Sequence, residues 1–361
     1  MNARLSLLTF SVLAAVVEPA VAGDPVEPTT VAPITIESAP SRWRFGIGYA
    51  PLVGLKTQFS GLGRFNNPLI PPPIGGGVDY NYDNGFVRVD SSDNADGATW
   101  NWGYESNSQY NPADGGSVDY SLTNSLANGR ADERSDAPTG MEIFTYFDMG
   151  AVDIGGLKER GVTWGFRGGL HYARIDVANQ DLAYSDLSVM TDRFTLNGTI
   201  APLGPYSGSF GGPGPLINDS PSRSVENRGQ ALVSGTRGLD VHLTTLNLGT
   251  YLEVPVASKF SLSFEAGLSA AIASGTYDFR SQTTVSGLGT QVSSGSDSDT
   301  KILLGLYLGV GGNYQINDSW SLQASGRYQF MDDFSLGANG TNAVLSFDSA
   351  FLISAGVVYS F

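Results

Sequence analysis

The sequence predicts an all-β protein, a transmembrane antiparallel up-and-down β-barrel of eight strands with ten as the alternative, and three observations carry that prediction. Alternate positions are apolar over eight segments, and side chains on a strand point alternately to opposite faces. The connections between those segments alternate short and long, as in barrels with short turns on one side of a bilayer and long loops on the other. Charged residues are only 15% of the chain, where a soluble domain carries about 25%.

Composition excludes several function classes. The 361 residues contain no Cys, so there is no disulfide framework, thiolate metal site or cysteine nucleophile. A net charge of -15 argues against nucleic acid as a partner, because binding that polyanion needs a basic face.

The first residues, MNARLSLLTFSVLAAVVEPAVAG, combine Arg4, an apolar run from Leu5 to Val17 and the small-x-small site Ala20-Val21-Ala22. This reads as a secretory signal peptide over 1–22. Its apolar run is too short for a spanning helix, which needs roughly 20 residues. Residues 23–41 are Pro-rich without periodicity, a tether expected on the periplasmic side, and 42–361 form the expected barrel.

The first segment, SRWRFGIGYAPLV, puts Trp43, Phe45, Ile47 and Tyr49 on one face. GMEIFTYFDMGAV does the same with Met141, Ile143, Phe147 and Met149, and GVTWGFRGGLHYARI with Val162, Trp164, Phe166, Leu170 and Tyr172. LDVHLTTLNLGTYLEV groups Leu246, Leu248, Leu252 and Val254. KFSLSFEAGLSAAIASGTYDF sets Phe260, Leu262, Phe264, Leu268 and Ile272 against Ser261, Ser263, Glu265 and Ser269. KILLGLYLGVGGNYQI, WSLQASGRYQF and the closing FLISAGVVYSF complete the eight.

DIGGLKER, PVASK and NDS are short connections, whereas 53–139, 178–237, 278–299 and, less markedly, 334–342 are long. The long loops at 53–139 and 178–237 are expected to face outside. Trp43, Trp164 and Trp320 each open a segment that leaves the short-turn side, and with Phe260 and Tyr359 they are expected to form an interfacial aromatic girdle.

With the bulky positions turned to lipid, the opposite face carries Arg44, Glu142, Asp148, Arg167, Glu265, Gln323, Arg327 and Gln329. An eight-stranded barrel is just wide enough for side chains to fill, so these charges are expected to pair in a plugged lumen. Asp148 with Arg167 is the leading pair, because the DIGGLKER turn joins their strands, and Glu265 with Arg327 the second. Charges lining a selective pore are the alternative reading.

The signal peptide, the amphipathic segments and the terminal Tyr359-Ser360-Phe361 together resemble bacterial outer-membrane β-barrel proteins, similar to the small OmpA and OmpW-like barrels. The resemblance implies outer-membrane lipid and the barrel assembly machinery as partners, with Phe361 part of the assembly signal. It implies an integral outer-membrane location after export and no cofactor.

Chemistry has little to build on. The two histidines, His171 and His242, fall on neighbouring segments toward the long-loop side, and His242-Leu243-Thr244 offers a hydroxyl two positions on. Thr is a poor nucleophile there, so no catalytic residue and no enzyme is expected. SDNADG partly matches a calcium loop, but Gly103 stands where the bidentate Glu belongs, so no metal site is expected. Phe86 to Asp90 and Thr99 to Tyr104 are a candidate hairpin. Trp100 and Trp102 either contact an external ligand through the loops or pack the loop on itself. The expected function is a non-enzymatic barrel with a structural or surface-interaction role; a channel or uptake barrel is the second reading and a lipid-modifying enzyme the third.

Overall fold

The computed structural model describes residues 42–70, 73–75, 77–88, 97–135 and 137–361. The signal peptide, the tether and most of SDNADG lie outside the described residues. Among those described the fold is all-β, with no α-helix and two short 3-10 turns.

Eight strands organise it: β1 (Trp43–Tyr49), β2 (Gly140–Ala151), β3 (Thr163–Asn179), β4 (Ser222–Ala257), β5 (Phe260–Val285), β6 (Gly289–Gln315), β7 (Trp320–Met331) and β8 (Ala350–Ser360). Each pairs antiparallel with its sequence neighbour in this set, and β8 pairs with β1, Arg44 opposite Ser360. Partner to partner, the path returns to its start. The candidate hairpin forms over Gly85–Val87 and Trp102–Tyr104 in a separate sheet, so it adds no strand to this ring.

The outer face carries an apolar band. Phe45, Ile47, Ile143, Phe166, Leu170, Leu248, Phe264, Leu268, Leu306, Leu308, Leu322 and Ile353 are all exposed. From Leu262 to Ile272 on β5 the strand covers about 34 Å at about 3.4 Å per residue. A tilt of about 40° turns that into about 26 Å of height, close to the apolar band of an outer-membrane barrel. Val162 departs from the pattern: it precedes β3 and is buried in the turn, where it bonds Val152 and Leu157.

Two of the expected loops are strands. β5 and β6 run straight through 278–299 and reverse only at Ser286–Leu288, and 334–342 is mostly a hairpin of Phe334–Ala338 with Thr341–Ser346. The 178–237 segment contributes Ala183–Thr195, and β4 takes its last part from Ser222. The physical reason is that alternation continues while its polarity reverses. Above Ile272 the outward residues are Ser274, Thr276, Asp278 and Arg280, and the inward ones Ala273, Tyr277 and Phe279. A pattern of apolar outward residues therefore ends at Ile272, where the outward face turns polar.

What fills that upper interior is a four-stranded sheet from the long connections. Lys56–Leu62 lies between Gly129–Arg134 and Thr341–Ser346, with Phe334–Ala338 at the edge. Its Phe59, Leu336, Ala343 and Leu345, with Leu55 just before it, pack with Leu243, Ala271, Tyr277, Phe279, Leu303 and Met331 of the ring. Each buried Leu or Phe contributes about 1.5–3 kcal/mol by leaving water. A second core, with Tyr80, Tyr82, Trp102, Tyr104, Tyr120 and Phe194, sits within the loop segments.

Candidate functional site

The inner face of the ring is largely polar at the short-turn end, with one small cluster of Phe144, Tyr146, Tyr251 and Val358, and apolar at the other. The change falls between His171 and Ala173 on β3, Thr245 and Leu243 on β4, Ser269 and Ala271 on β5. On β6, β7 and β8 it falls between Gly305 and Leu303, Gln329 and Met331, Ser354 and Leu352. Above that level lies the packed core just described.

Below it, Glu142 is the hub of a buried charge cluster. Its Oε1 accepts from Arg167 Nη2 at 2.8 Å and Arg327 Nη1 at 2.6 Å, and its Oε2 accepts from Arg327 Nη2. All three side chains are fully buried. Glu265 accepts from the Tyr146 hydroxyl at 2.9 Å and lies 3.4 Å from Arg167 Nε and 4.0 Å from Arg327 Nε. The Tyr146 hydroxyl also accepts from Arg167 Nε and Gln323 Nε2. Two carboxylates thus face two guanidiniums, a neutral set, which is the condition under which buried charge is tolerated.

A second cluster lies nearer the short turns. Arg44 Nη2 donates to Glu253 at 2.8 Å and to the Tyr251 hydroxyl at 3.0 Å, and Arg44 Nε is 3.4 Å from Asp148. The Tyr251 hydroxyl donates to Asp148, and Ser261 to Glu253.

Glycines make room for these side chains. A Cβ at Gly249 or Gly267 would come 2.6 or 2.7 Å from the Tyr307 side chain, and one at Gly309 would come 2.5 Å from Arg327. The lumen is therefore packed, small opposite large.

The leading expected pairing changes, and the second forms only at the long end of ion-pair distance. Asp148 meets Arg44, not Arg167, because the register sets Tyr146 opposite Arg167 and Asp148 opposite Gly165, next to a bulge. Arg167 reaches the other way along β2, to Glu142. Glu265 and Arg327 stand at 4.0 Å, while Arg327 puts both terminal nitrogens on Glu142. Arg327 with Glu142 and Arg44 with Glu253 pair across the lumen, between strands that are not neighbours, which strand adjacency does not reveal. Tyr146, Tyr251 and Glu253 were not among the inward set expected from sequence; each shares the inward phase of its segment, opposite Phe147, Leu252 and Val254.

The aromatic positions line one end of the outer face. The Trp43 ring lies 4.7 Å from Phe147, Trp320 lies 5.0 Å from Tyr359, and Tyr359 lies 4.9 Å from Phe361. Trp164 stacks edge-on to Phe166 at 5.9 Å, and Phe260 pairs across to Tyr314. Phe361 is exposed and also meets Phe45.

The histidines do not meet. His171 points inward, buried, with Nε2 2.9 Å from the Ala50 carbonyl; His242 is exposed, with Nδ1 2.8 Å from the Tyr172 hydroxyl. Trp102 is buried, donates to the Pro215 carbonyl at 2.7 Å and packs on Tyr104 and Tyr206, so it holds the loop together. In the same unit Tyr82 donates to the buried Asp192, which Arg223 grips with two bonds; burial and then that carboxylate push the Tyr82 hydroxyl well above its ordinary pKa. Among the described residues no group of three His, Cys, Asp or Glu could hold a metal.

No family model matches the chain. No curated protein matches it either. Solved structures similar to it include Ail, the attachment invasion locus protein of Yersinia pestis, at 9% identity over 90% of this chain and 100% of that one, with a TM-score of 0.26. The outer membrane protease OmpT of Escherichia coli is 10% identical over 91% of this chain and 99% of that one, with a TM-score of 0.35. A FadL homologue of Pseudomonas aeruginosa is 10% identical over 88% and 90%, with a TM-score of 0.18. Likeness at this level carries no argument about this chain.

Proposed function

We propose that this chain is an integral outer-membrane protein, an eight-stranded barrel similar to the OmpA and OmpW-like type, whose lumen is closed to conduction. Its role is structural or surface-binding, through its loops, and not enzymatic. The observation that carries the reading is the double reversal of polarity: an apolar band outside a polar lumen below, and a hydroxyl-rich exterior around an apolar core above. Only a bilayer around the lower half makes the first arrangement stable, since exposed apolar area of that extent is not left in water. The upper core supports closure, because an ion crossing it would lose its water without a polar replacement.

The separated histidines and the self-packed Trp102 support a non-enzymatic reading. Ile200, Leu203 and Phe210 are exposed on the connection between Ala183–Thr195 and β4, which supports a loop surface that meets a partner. Outer-membrane lipid surrounds the band, and Phe361 serves the assembly machinery.

Planar-bilayer recording tests closure. The wild type is expected to show no steady channel, and Phe59→Ala together with Arg167→Ala, which thin both the core and the charge cluster, small openings. Large steady channels in the wild type would establish the porin-like alternative instead.

A further inference from the structure

Among the described residues six carboxylate and guanidinium side chains are buried: Glu142, Arg167, Asp192, Glu265, Arg327 and Arg237. The first five stand in ion pairs. Arg237 meets only neutral groups: its Nη1 donates to Asn179 Oδ1 at 2.5 Å and to the Asp181 carbonyl at 3.2 Å. Its Nε and Nη2, both shut from water, have no acceptor. Those two N–H groups share one edge of the guanidinium, the fork that grips a carboxylate or a single anion from the side.

The site lies in the upper half, in the seam between the ring and the inner sheet. Arg237 on β4 stands opposite Asn179 of β3 and Phe279 of β5. Asn179 Nδ2 donates to Glu133 of the inner sheet at 3.0 Å and to Asp181 at 3.2 Å, so both carboxylates stand behind that amide, away from the fork. Thr57, opposite Glu133 on the inner sheet, is also buried with its hydroxyl unpartnered. The seam therefore has groups able to donate in excess of acceptors.

A buried guanidinium without a counter-charge is costly. Burial lowers the Arg237 pKa, and Tyr277 and Asp181 offset that only in part. A water could accept from the fork but would leave the charge bare; an anion accepts from both N–H groups and cancels it. Arg237 and Asn179 are each 1% exposed, so the occupant is small, and one guanidinium calls for one negative charge. Leu239, Val241 and Leu243 follow on the same strand in the apolar core, so the site is a dead end and not a step across the lumen.

We propose that the Nε–Nη2 edge of Arg237 binds a small monovalent anion, of the size of chloride, which neutralises the seam and helps to seat the inner sheet against β3, β4 and β5.

Crystals of the full chain, grown from detergent and soaked in bromide, should show an anomalous peak on that edge. Urea unfolding of the micelle-bound chain should also differ between chloride and the bulky anion gluconate at equal ionic strength. At about ten times its Kd, chloride shifts the folding equilibrium about tenfold. Arg237→Met should abolish the difference, whereas Arg280→Gln, exposed on the outer face of β5, should leave it in place. The site is overturned by a bromide map without that peak, by equal unfolding in the two salts, or by a difference that survives Arg237→Met or vanishes in Arg280→Gln. If Arg237→Met fails to fold, the bromide map and Arg280→Gln still decide.

Discussion

Below Ile272 strand β5 turns its apolar side chains outward, to Phe264 and Leu268, and above it the same strand turns them inward, to Tyr277 and Phe279. The backbone does not change between the two halves; from Ser261 to Thr284 the ladder to β4 and β6 runs without a break. What changes is the solvent each half is built for. In the lower half burial inside has to be achieved by charges and hydroxyls, so it depends on exact partnering, whereas the upper half is an ordinary two-layer β core held by apolar contact.

The contrast can be broken from either side, and the largest effect is expected in the lower half. Glu142→Ala leaves Arg167 and Arg327 buried without their shared carboxylate, and should cost about 3–5 kcal/mol in urea unfolding of the micelle-bound protein. A loss under about 1 kcal/mol would mean that water already replaces the carboxylate. Phe59→Ala in the upper core opens a cavity and should cost about 3–4 kcal/mol, with the same assay as readout; a negligible loss would mean that the upper sheet does not seat against the long strands. Leu268→Arg, outward in the band, should cost about 2–4 kcal/mol, while Thr276→Arg, outward on the same strand above it, should stay within about 0.5 kcal/mol. Equal costs at the two positions would erase the boundary. The smallest effect on the folded state is expected from Phe361→Ser: once assembled, the protein should melt almost as the wild type does, but heat-modifiable barrel should accumulate more slowly in cells, as gel shift would show.

How much of this was legible depends on range. The eight segments and their outward residues follow from period-2 alternation, a local property, and each segment overlaps one strand of the ring. The lengths of β4, β5 and β6, 36, 26 and 27 residues, were not legible by the rule applied, because that rule looked for apolar residues outward and the phase reverses at Ile272. The reversal itself is written in the sequence, in Ala271, Ala273, Tyr277 and Phe279. The inward charges were also legible by phase, and Arg167, Arg327, Glu142 and Glu265 are all buried inside. Their partners were not, because Glu142 reaches Arg327 from a strand that is not β7's neighbour, and only closure of the ring brings the two together. Glu253 was missed because its own neighbours, Leu252 and Val254, drew the attention to the other face.

The pairing of β1 with β8 joins the first and last strands of the described chain. Until it forms, a growing sheet of these strands has two bare edges, each a row of unpaired N–H and C=O groups able to template another chain. Loop entropy adds little urgency, since each doubling of the closed loop costs only about 0.6 kcal/mol. The hazard is therefore one of time and not of final stability: an unclosed molecule in water is a candidate for aggregation, and whatever holds β1 and β8 apart from other strands decides the yield.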